Sequence, residues 1–262
     1  MTRLLAVDLD GTMIAKDGRG AKEAREPFAR LRDRGVRIAI ATGRMVQSAA
    51  QIFAETGVPE GHIIALNGAE LWAYPLGEKA IWQRAIAPDA ARRAVEICLN
   101  RDAEVQGYVE GDLRILQRTA QTEAYARRTR VPSHLVDVAG ISESPQKLLA
   151  LLPPDETLAL IDDLRRELGG ALDCFRSEPN FVEIVPRGVH KGVALAALAD
   201  KLGLQLRDVA AAGDAENDVE LLRAVGRPFA PSTAAQAVLA LKPHLGPPPP
   251  DLMAAIADEI LR

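Results

Sequence analysis

Residues 4–12 of the chain read LLAVDLDGT. The apolar run at 4–7 predicts a strand buried on both faces, and this strand delivers Asp8 and Asp10 at its carboxyl end. In an open parallel sheet, chemistry sits at that edge. Two carboxylates in one turn repel each other, so the pair favours a bound cation or a shared proton, and oxygen ligands favour Mg²⁺. An ordinary acidic turn is the alternative at this point, because Asp and Gly are common in turns.

Composition restricts the class of protein. The chain has 262 residues, which is enough for one large domain or two modest ones. Aromatic residues make up only 4% of the chain and apolar residues 48%, which favours packed α/β layers over a stacking platform for nucleic acid or carbohydrate. The net charge of −4 argues against a surface that binds polyanions. We therefore expect no nucleic-acid partner.

The cysteines and the apolar runs indicate in which compartment the protein is expected to lie. Cys98 and Cys174 are too few and too far apart for a disulfide framework or a zinc cluster, so we expect reduced thiols in the core. No charged leader with an apolar stretch is recognisable, and no apolar run is long enough to cross a bilayer. These features predict a cytoplasmic protein without a membrane partner.

Strand and helix signals alternate up to about residue 82. Apolar runs at 36–41 and 63–66 predict two further strands, and residues with helical spacing lie between them. This alternation is typical of right-handed parallel crossovers. Thr42 follows the second strand directly before a helical segment, where it is either an anion-binding hydroxyl or an ordinary N-cap; the residues alone leave both open.

The alternation of strand and helix signals stops near residue 83 and resumes near residue 186. Between these points, helices are followed by short strands, and Gly111-Asp112 marks a hairpin. Beyond them, a small-residue strand at 209–212 precedes another helix. We therefore predict an α/β fold with a doubly wound, Rossmann-like parallel sheet formed by residues 1–82 and 186–262. Residues 83–185 are predicted to form an inserted α+β domain.

Polar residues collect where the predicted core strands end. Carboxylates, a lysine and a hydroxyl at one sheet edge are what metal-assisted phosphoryl transfer requires. The residues concerned are Asp8, Asp10, Thr42, Lys191, Asp214 and Asp218.

Four strings in this order resemble the motifs of the haloacid dehalogenase-like phosphatases. They are DLDGT at 8–12, ATGR at 41–44, HKG at 190–192 and GDAEND at 213–218. The insertion between the second and third motifs is similar to the α/β cap of the Cof-type branch, subclass IIB. LNGAE at 66–70 and PNFVEIVPRGVHKG at 179–192 also resemble that branch. The resemblance covers essentially the whole chain.

The resemblance implies a role for each motif residue. Asp8 would be the nucleophile that forms an aspartyl-phosphate, and Asp10 the acid and then the base. Mg²⁺ would be bound by the carboxylates of Asp8 and Asp214 and by the backbone carbonyl of Asp10. Asp218 would orient Lys191 or a metal-bound water, with a helix N-cap as the alternative. The phosphate oxygens would be held by Thr42, Lys191, Asn217 and the amides of Leu9 and Gly11. The substrate or the cap would be faced by Gly43, Arg44 and Asn67.

The function implied is a Mg²⁺-dependent phosphomonoester hydrolase acting on a small metabolite such as a sugar phosphate, with the cap choosing the substrate. The alternatives are a sugar phosphomutase of the same fold, a phosphorylated switch and a silent ligand binder. We expect a monomer or a weak homodimer. One departure concerns Thr233, which stands where Cof-type members carry an asparagine, so the contact made by that asparagine is in doubt. His190 is expected to be a loop residue rather than a catalyst.

Overall fold

A computed structural model describes all 262 residues of the chain. The strands are β1 (Leu4–Val7), β2 (Arg37–Ala41), β3 (Gly61–Ala65), β4 (Glu70–Tyr74), β5 (Trp82–Gln83), β6 (Glu104–Val109), β7 (Asp112–Ile115), β8 (Ser133–Leu135), β9 (Lys147–Leu151), β10 (Leu172–Glu178), β11 (Phe181–Pro186), β12 (Val209–Ala212), β13 (Arg227–Pro231) and β14 (His244–Gly246). The α-helices are α1 (Arg25–Asp33), α2 (Val46–Glu55), α3 (Pro88–Leu99), α4 (Ala120–Thr129), α5 (Val138–Ile141), α6 (Thr157–Leu168), α7 (Lys191–Lys201), α8 (Val219–Arg223), α9 (Gln236–Leu239) and α10 (Leu252–Leu261).

The chain divides into two compact units. The core unit comprises Met1–Trp82 and His190–Arg262, and the inserted unit comprises Gln83–Val189. The predicted boundary between residues 185 and 186 falls inside β11, which continues to Pro186, and the inserted unit continues to Val189. None of the helices combines the length and the apolar character that a membrane span needs.

The core unit is built on an eight-stranded sheet in the order β14-β13-β12-β1-β2-β3-β4-β5. The five pairs from β14 to β3 are parallel, and β4 runs antiparallel to β3. The predicted α/β class with a parallel sheet is therefore confirmed, with an antiparallel extension that was not predicted. All four residues of β1 are buried, as expected for a central strand of a parallel sheet that is covered on both faces.

Small residues on the core sheet allow the helices to pack closely. Ala6 and Ala211 lie in one apolar cluster with Leu195 and Leu198 of α7 and Leu221 of α8. Alanines on the strands thus pack with leucines on the helices, which lets the helices lie close to the sheet. The packing fixes α7, and with it the first residue of that helix, against the sheet.

The inserted unit has its own six-stranded sheet in the order β10-β11-β9-β6-β7-β8. Its pairs are antiparallel except β7 with β8. An apolar cluster joins one sheet face to α3, α5 and α6 through residues that include Val95, Ile141 and Leu160. The strands β4, β5, β8, β13 and β14 were not predicted.

Candidate active site

Two neighbouring parallel strands end together and bring distant acidic residues to one edge. Val7 of β1 pairs with Ala212 of β12, and the Asp8 N–H donates to the Ala212 carbonyl oxygen over 3.0 Å. Asp8 therefore lies beside Gly213 and Asp214, although about 200 residues of chain separate the two segments. This edge is the carboxyl end of the core sheet, where the sequence predicted the chemistry.

Lys191, the first residue of α7, connects two carboxylates. Its Nζ donates to Asp8 Oδ1 and to Asp218 Oδ1, each over 2.7 Å, and all three side chains are buried. Burial raises the pKa of Asp8 well above its usual value, and Lys191 opposes that rise. Burial also acts to lower the pKa of Lys191, but Asp218 and Asp8 outweigh it, so the pKa of the ammonium is raised. Lys191 is thus a fixed positive charge beside Asp8.

The Asp214 carboxylate accepts a hydrogen bond from a hydroxyl group for which the sequence predicted no role. Thr12, the last residue of the first motif, donates from Oγ1 to Asp214 Oδ1 over 2.6 Å and is fully buried. Burial raises the pKa of Asp214 to about 6, although the Thr12 hydrogen bond opposes the rise. Gly11 adopts a φ of +90°, and a Cβ at this position would lie 2.4 Å from Asp214 Oδ2, so only glycine fits here.

Asp218 organises the acidic loop as well as Lys191. Its Oδ2 accepts the N–H groups of Asp214 and Ala215, each over 3.1 Å, while its Oδ1 accepts from Lys191. Gly213 leaves room for it, because a Cβ there would lie 2.4 Å from the Asp218 Cβ. Asp218 therefore orients Lys191, and its contacts with the Asp214 and Ala215 N–H groups close the acidic loop. It makes no side-chain capping bond to α8, the helix that it precedes.

The carboxylates of this edge fit a hard divalent cation. One oxygen from each of Asp8, Asp214 and Asp218 lies within 4.8 Å of the other two. Three carboxylates face one ammonium. Burial raises the pKa of Asp8 and of Asp214, and the neighbouring carboxylates add to the rise. Oxygen donors in such a group suit Mg²⁺. The residues present therefore fit the metal that the sequence predicted.

The Asp10 side chain lies outside this group. Its carboxylate accepts a bidentate pair of hydrogen bonds from Arg44, with Nε to Oδ2 at 2.7 Å and Nη2 to Oδ1 at 2.5 Å. The Asp10 side chain is 56% exposed, whereas that of Asp8 is 8% exposed. The first motif therefore presents one buried carboxylate and one accessible carboxylate. The pair between Arg44 and Asp10 was not predicted.

Thr42 lies beside the same edge, at the end of β2. It is buried, and its Oγ1 accepts the Arg44 N–H over 3.2 Å. Helix α2 begins only at Val46, with Met45 as the N-cap and no side-chain capping bond, so the N-cap alternative for Thr42 is wrong.

The remaining predicted residues form a second layer of contacts. Asn217 Nδ2 donates to Asn67 Oδ1 over 2.9 Å, and a Cβ on Gly43 would lie 3.1 Å from that same oxygen. Leu9 is buried. The Gly11 N–H donates to the Ile14 carbonyl oxygen over 2.9 Å, so this amide, expected to hold phosphate, already has an acceptor.

Two further residues, which have no proposed role in catalysis, also have defined places. His190 is the N-cap of α7, and its Nδ1 accepts the Val193 N–H over 3.3 Å, which gives this side chain a capping contact. Thr233 follows β13 and is exposed.

Comparison with known proteins gives consistent matches over most of the chain. The family model described as haloacid dehalogenase-like hydrolase matches residues 5–257. An HMP-PP phosphatase of Klebsiella pneumoniae (strain 342) is 30% identical over 256 residues, covering 94% of this chain and 89% of the relative. An HMP-PP phosphatase of Citrobacter koseri is 29% identical over 251 residues, with the same coverage.

Solved structures share the fold. TM0651 of Thermotoga maritima superposes with a TM-score of 0.85 at 24% identity, covering 99% of this chain and 97% of that one. The subclass IIB sugar phosphatase BT4131 superposes with a TM-score of 0.83 at 19% identity, covering 99% and 98%.

Proposed function

Because the chain belongs to the haloacid dehalogenase-like hydrolases, we propose that it is a Mg²⁺-dependent phosphatase that hydrolyses small phosphomonoesters through an aspartyl-phosphate. The observation that carries the proposal is the Lys191 ammonium, which contacts both Asp8 and Asp218 at 2.7 Å beside the Asp214 carboxylate. A nucleophile, a fixed cation and further oxygen ligands within one buried cluster are the parts that phosphoryl transfer needs.

Asp8 is the nucleophile in this proposal. Lys191 binds Oδ1 and thereby fixes the carboxylate plane, which leaves Oδ2 for attack on phosphorus. The new bond joins Oδ2 to phosphorus while the bond from phosphorus to the leaving oxygen breaks. Mg²⁺, held by the carboxylates of Asp8 and Asp214 and by the Asp10 carbonyl, would neutralise charge on Asp8 and on the phosphate.

Asp10 is the acid and base, because it is the accessible carboxylate of the motif. In the first step its proton passes to the leaving oxygen. In the second step it takes a proton from water as the water oxygen attacks phosphorus, and the bond between phosphorus and Asp8 breaks. Arg44 binds both carboxyl oxygens of Asp10, so transfer of a proton from Asp10 to the leaving oxygen requires this contact to loosen when substrate binds. Arg44 is therefore a positioning residue for Asp10.

The phosphate oxygens are assigned to donors at the same edge. Thr42 Oγ1, Lys191 Nζ, Asn217 Nδ2 and the Leu9 N–H would donate to them, and Asp218 would keep Lys191 in place. The Asn217 amide would exchange Asn67 for a phosphate oxygen. The inserted unit would choose the substrate, since the motif residues meet only phosphate and metal. Cytoplasmic location and a state as monomer or weak homodimer stay predictions from the sequence.

Release of inorganic phosphate tests the proposal. The panel contains para-nitrophenyl phosphate, sugar phosphates and HMP-PP, for which the curated relatives are named. We expect release with Mg²⁺ and none in EDTA, and a loss of roughly 1,000-fold or more in kcat for Asp8→Asn. Asp33→Asn, an exposed acid on α1, is the matched control and is expected to keep full activity.

Two outcomes would contradict it. Activity that survives Asp8→Asn would remove the nucleophile from the mechanism. Isomerised sugar phosphate without free phosphate would instead identify a phosphomutase of the same fold.

A further inference from the structure

A surface cavity lies at the edge of the core sheet opposite to the catalytic edge. It has a volume of about 440 Å³, and it is lined by the starts of β2 and β3, the end of β4 and the loop that precedes β2. Arg37, which lines the cavity, is the first residue of β2, and Thr42 follows the last residue of the same strand. At 3.3 Å per residue, about 16 Å separate these two residues along the strand. The cavity is therefore separate from the candidate active site.

The lining of this cavity is held by packing within the core unit. A Cβ on Gly61, at the start of β3, would lie 2.6 Å from the Ile38 carbonyl oxygen, so glycine lets the two strands approach closely here. The Tyr74 ring lies against the Phe53 ring, with 4.7 Å between the centroids. The cavity is thus formed without a ligand, and its volume lies in the range of small-molecule sites.

Positive charge collects around a histidine of the lining. Ala39 of β2 pairs with His62 of β3, and Arg37 precedes Ala39 by two residues, so Arg37 and His62 lie on the same face of the sheet. Ala39 packs in one apolar cluster with Leu198 of α7, which places the helix on that face, and α7 ends at Lys201. Burial lowers the pKa of His62, and the charges of Arg37 and Lys201 lower it further. Two cations therefore act on His62.

The cations at the cavity have no acidic partners. Neither Arg37 nor Lys201 makes an ion pair or a side-chain hydrogen bond, and the same holds for Arg32, which lines the cavity from the end of α1. Glu60 is the one acid in the lining, and it makes no ion pair with either arginine. The cavity therefore carries an excess of positive charge that the protein itself does not neutralise.

His62 contributes a ring nitrogen without a partner. Its Nδ1 is buried and makes no hydrogen bond. A buried polar atom without a partner is unfavourable and needs an explanation. A protonated imidazole donates from both nitrogens, and a nearby anion favours that form. The proton affinity of His62 is therefore expected to respond to an anion in the cavity.

We propose that this cavity is a second binding site, and that it takes the phosphate group of a small molecule or free phosphate. Arg32 and Arg37 each present a planar fork of N–H donors, which matches the oxygens of a phosphate. The field of unpaired cations is focused in a concave site, so an anion is attracted more strongly there than on a flat surface. Binding at this edge needs neither Asp8 nor a metal, so the inference is independent of the proposed phosphatase function.

NMR of the histidine side chains tests the site in the full chain, with EDTA present. The four histidine signals are assigned with single His→Gln variants, and pH titrations are recorded with and without phosphate, while KCl keeps the ionic strength constant. Phosphate is expected to raise the pKa of His62 by about 1, because it offsets the charges that lower this pKa. The signal of the exposed His134, in the inserted unit, is expected to stay unchanged.

Two variants test the contacts. The shift of the His62 signal against ligand concentration at fixed pH gives the affinity for inorganic phosphate and for glycerol 3-phosphate, and the tighter of the two identifies the source of the phosphate group. Arg37→Gln is expected to weaken binding about tenfold, because one charge-assisted contact is lost. Arg34→Gln is the matched control, since Arg34 is exposed at the end of α1 and does not line the cavity. It is expected to change the affinity less than about twofold.

Three results would overturn the proposal. They are a His62 pKa that neither phosphate ligand changes beyond the matched KCl, wild-type affinity in Arg37→Gln, and equal losses of affinity in Arg37→Gln and Arg34→Gln. The measurement requires no turnover. A protein inactive on every phosphomonoester would therefore overturn the proposed function without deciding the outcome at this cavity.

Discussion

Replacing Asp214 with Asn is expected to stabilise the metal-free protein at pH 7. Burial raises the pKa of Asp214 from 3.8 to about 6, so the folded state disfavours the charge that this side chain carries in the unfolded chain. Each pKa unit corresponds to about 1.4 kcal/mol, which gives a gain of about 3 kcal/mol in the free energy of unfolding when an amide removes the charge. Asn can still accept the hydrogen bond from Thr12.

The sign of the pH dependence follows from proton binding. Because the folded-state pKa of Asp214 is raised, the native state binds more protons than the unfolded state between about pH 4 and pH 6. The contribution of this group to stability therefore falls as the pH rises through that window. The Asp214→Asn variant lacks this dependence, so its advantage is largest above pH 6 and disappears near pH 4 and below.

Urea unfolding followed by tryptophan fluorescence measures the difference, because Trp72 and Trp82 both belong to the core unit. In EDTA at pH 7 the variant is expected to unfold at higher urea than wild type. Added Mg²⁺ is expected to stabilise wild type by mass action and the variant much less. Asp33→Asn, the exposed control, should stay within about 0.5 kcal/mol of wild type. A variant less stable than wild type in EDTA, or equal stabilisation of both by Mg²⁺, would refute the reasoning.

Two further predictions concern buried groups. Lys191→Met is expected to lower the free energy of unfolding in EDTA by about 3–5 kcal/mol, because the buried carboxylates of Asp8 and Asp218 lose the ammonium that both contact; urea unfolding that shows a loss below about 1 kcal/mol would contradict this. Burial raises the pKa of the Cys98 thiol and that of Cys174, the latter to about 12, so at pH 8 both are expected to react with Ellman's reagent only after urea is added. Fast reaction of either thiol without denaturant would count against the predicted burial.

The position of the acidic residues could be predicted because it follows from local sequence patterns. The apolar runs at 4–7 and 209–212 identify buried strands, and parallel strands end at a common edge, so Asp8 and Asp214 were expected to approach each other. Contacts between individual side chains were harder to predict from the sequence. The bidentate contact between Arg44 and Asp10 depends on side-chain rotamers, which the periodicity of the sequence does not encode. The contact between Thr12 and Asp214 could not be predicted either, because a threonine at this position is equally consistent with an ordinary turn.

The outer strands of the core sheet were harder to predict. β13 carries Pro228 and Pro231, and proline within a run normally argues against a central strand. The structure places Pro231 at the last position of β13, next to a partner strand of only three residues. Pairing here depends on neighbours supplied by the tertiary fold rather than on local preference. The strand β4 likewise joins β3 in antiparallel register, although the chain before it alternates strictly as parallel crossovers do.

The acidic edge itself is better explained by function than by stability. Burial opposes the charge on Asp8 and on Asp214. Gly11 and Gly213 leave no space for a Cβ beside the side chains of Asp214 and Asp218, respectively. A sequence selected for stability alone would replace one of the acids by an amide, and the gain worked out for Asp214 shows how much that change offers. The fold retains the carboxylates, and the property they share is the capacity to bind a divalent cation beside a nucleophile. Removing the charge should therefore separate the two properties, with stability in EDTA rising as metal binding and phosphate release are lost.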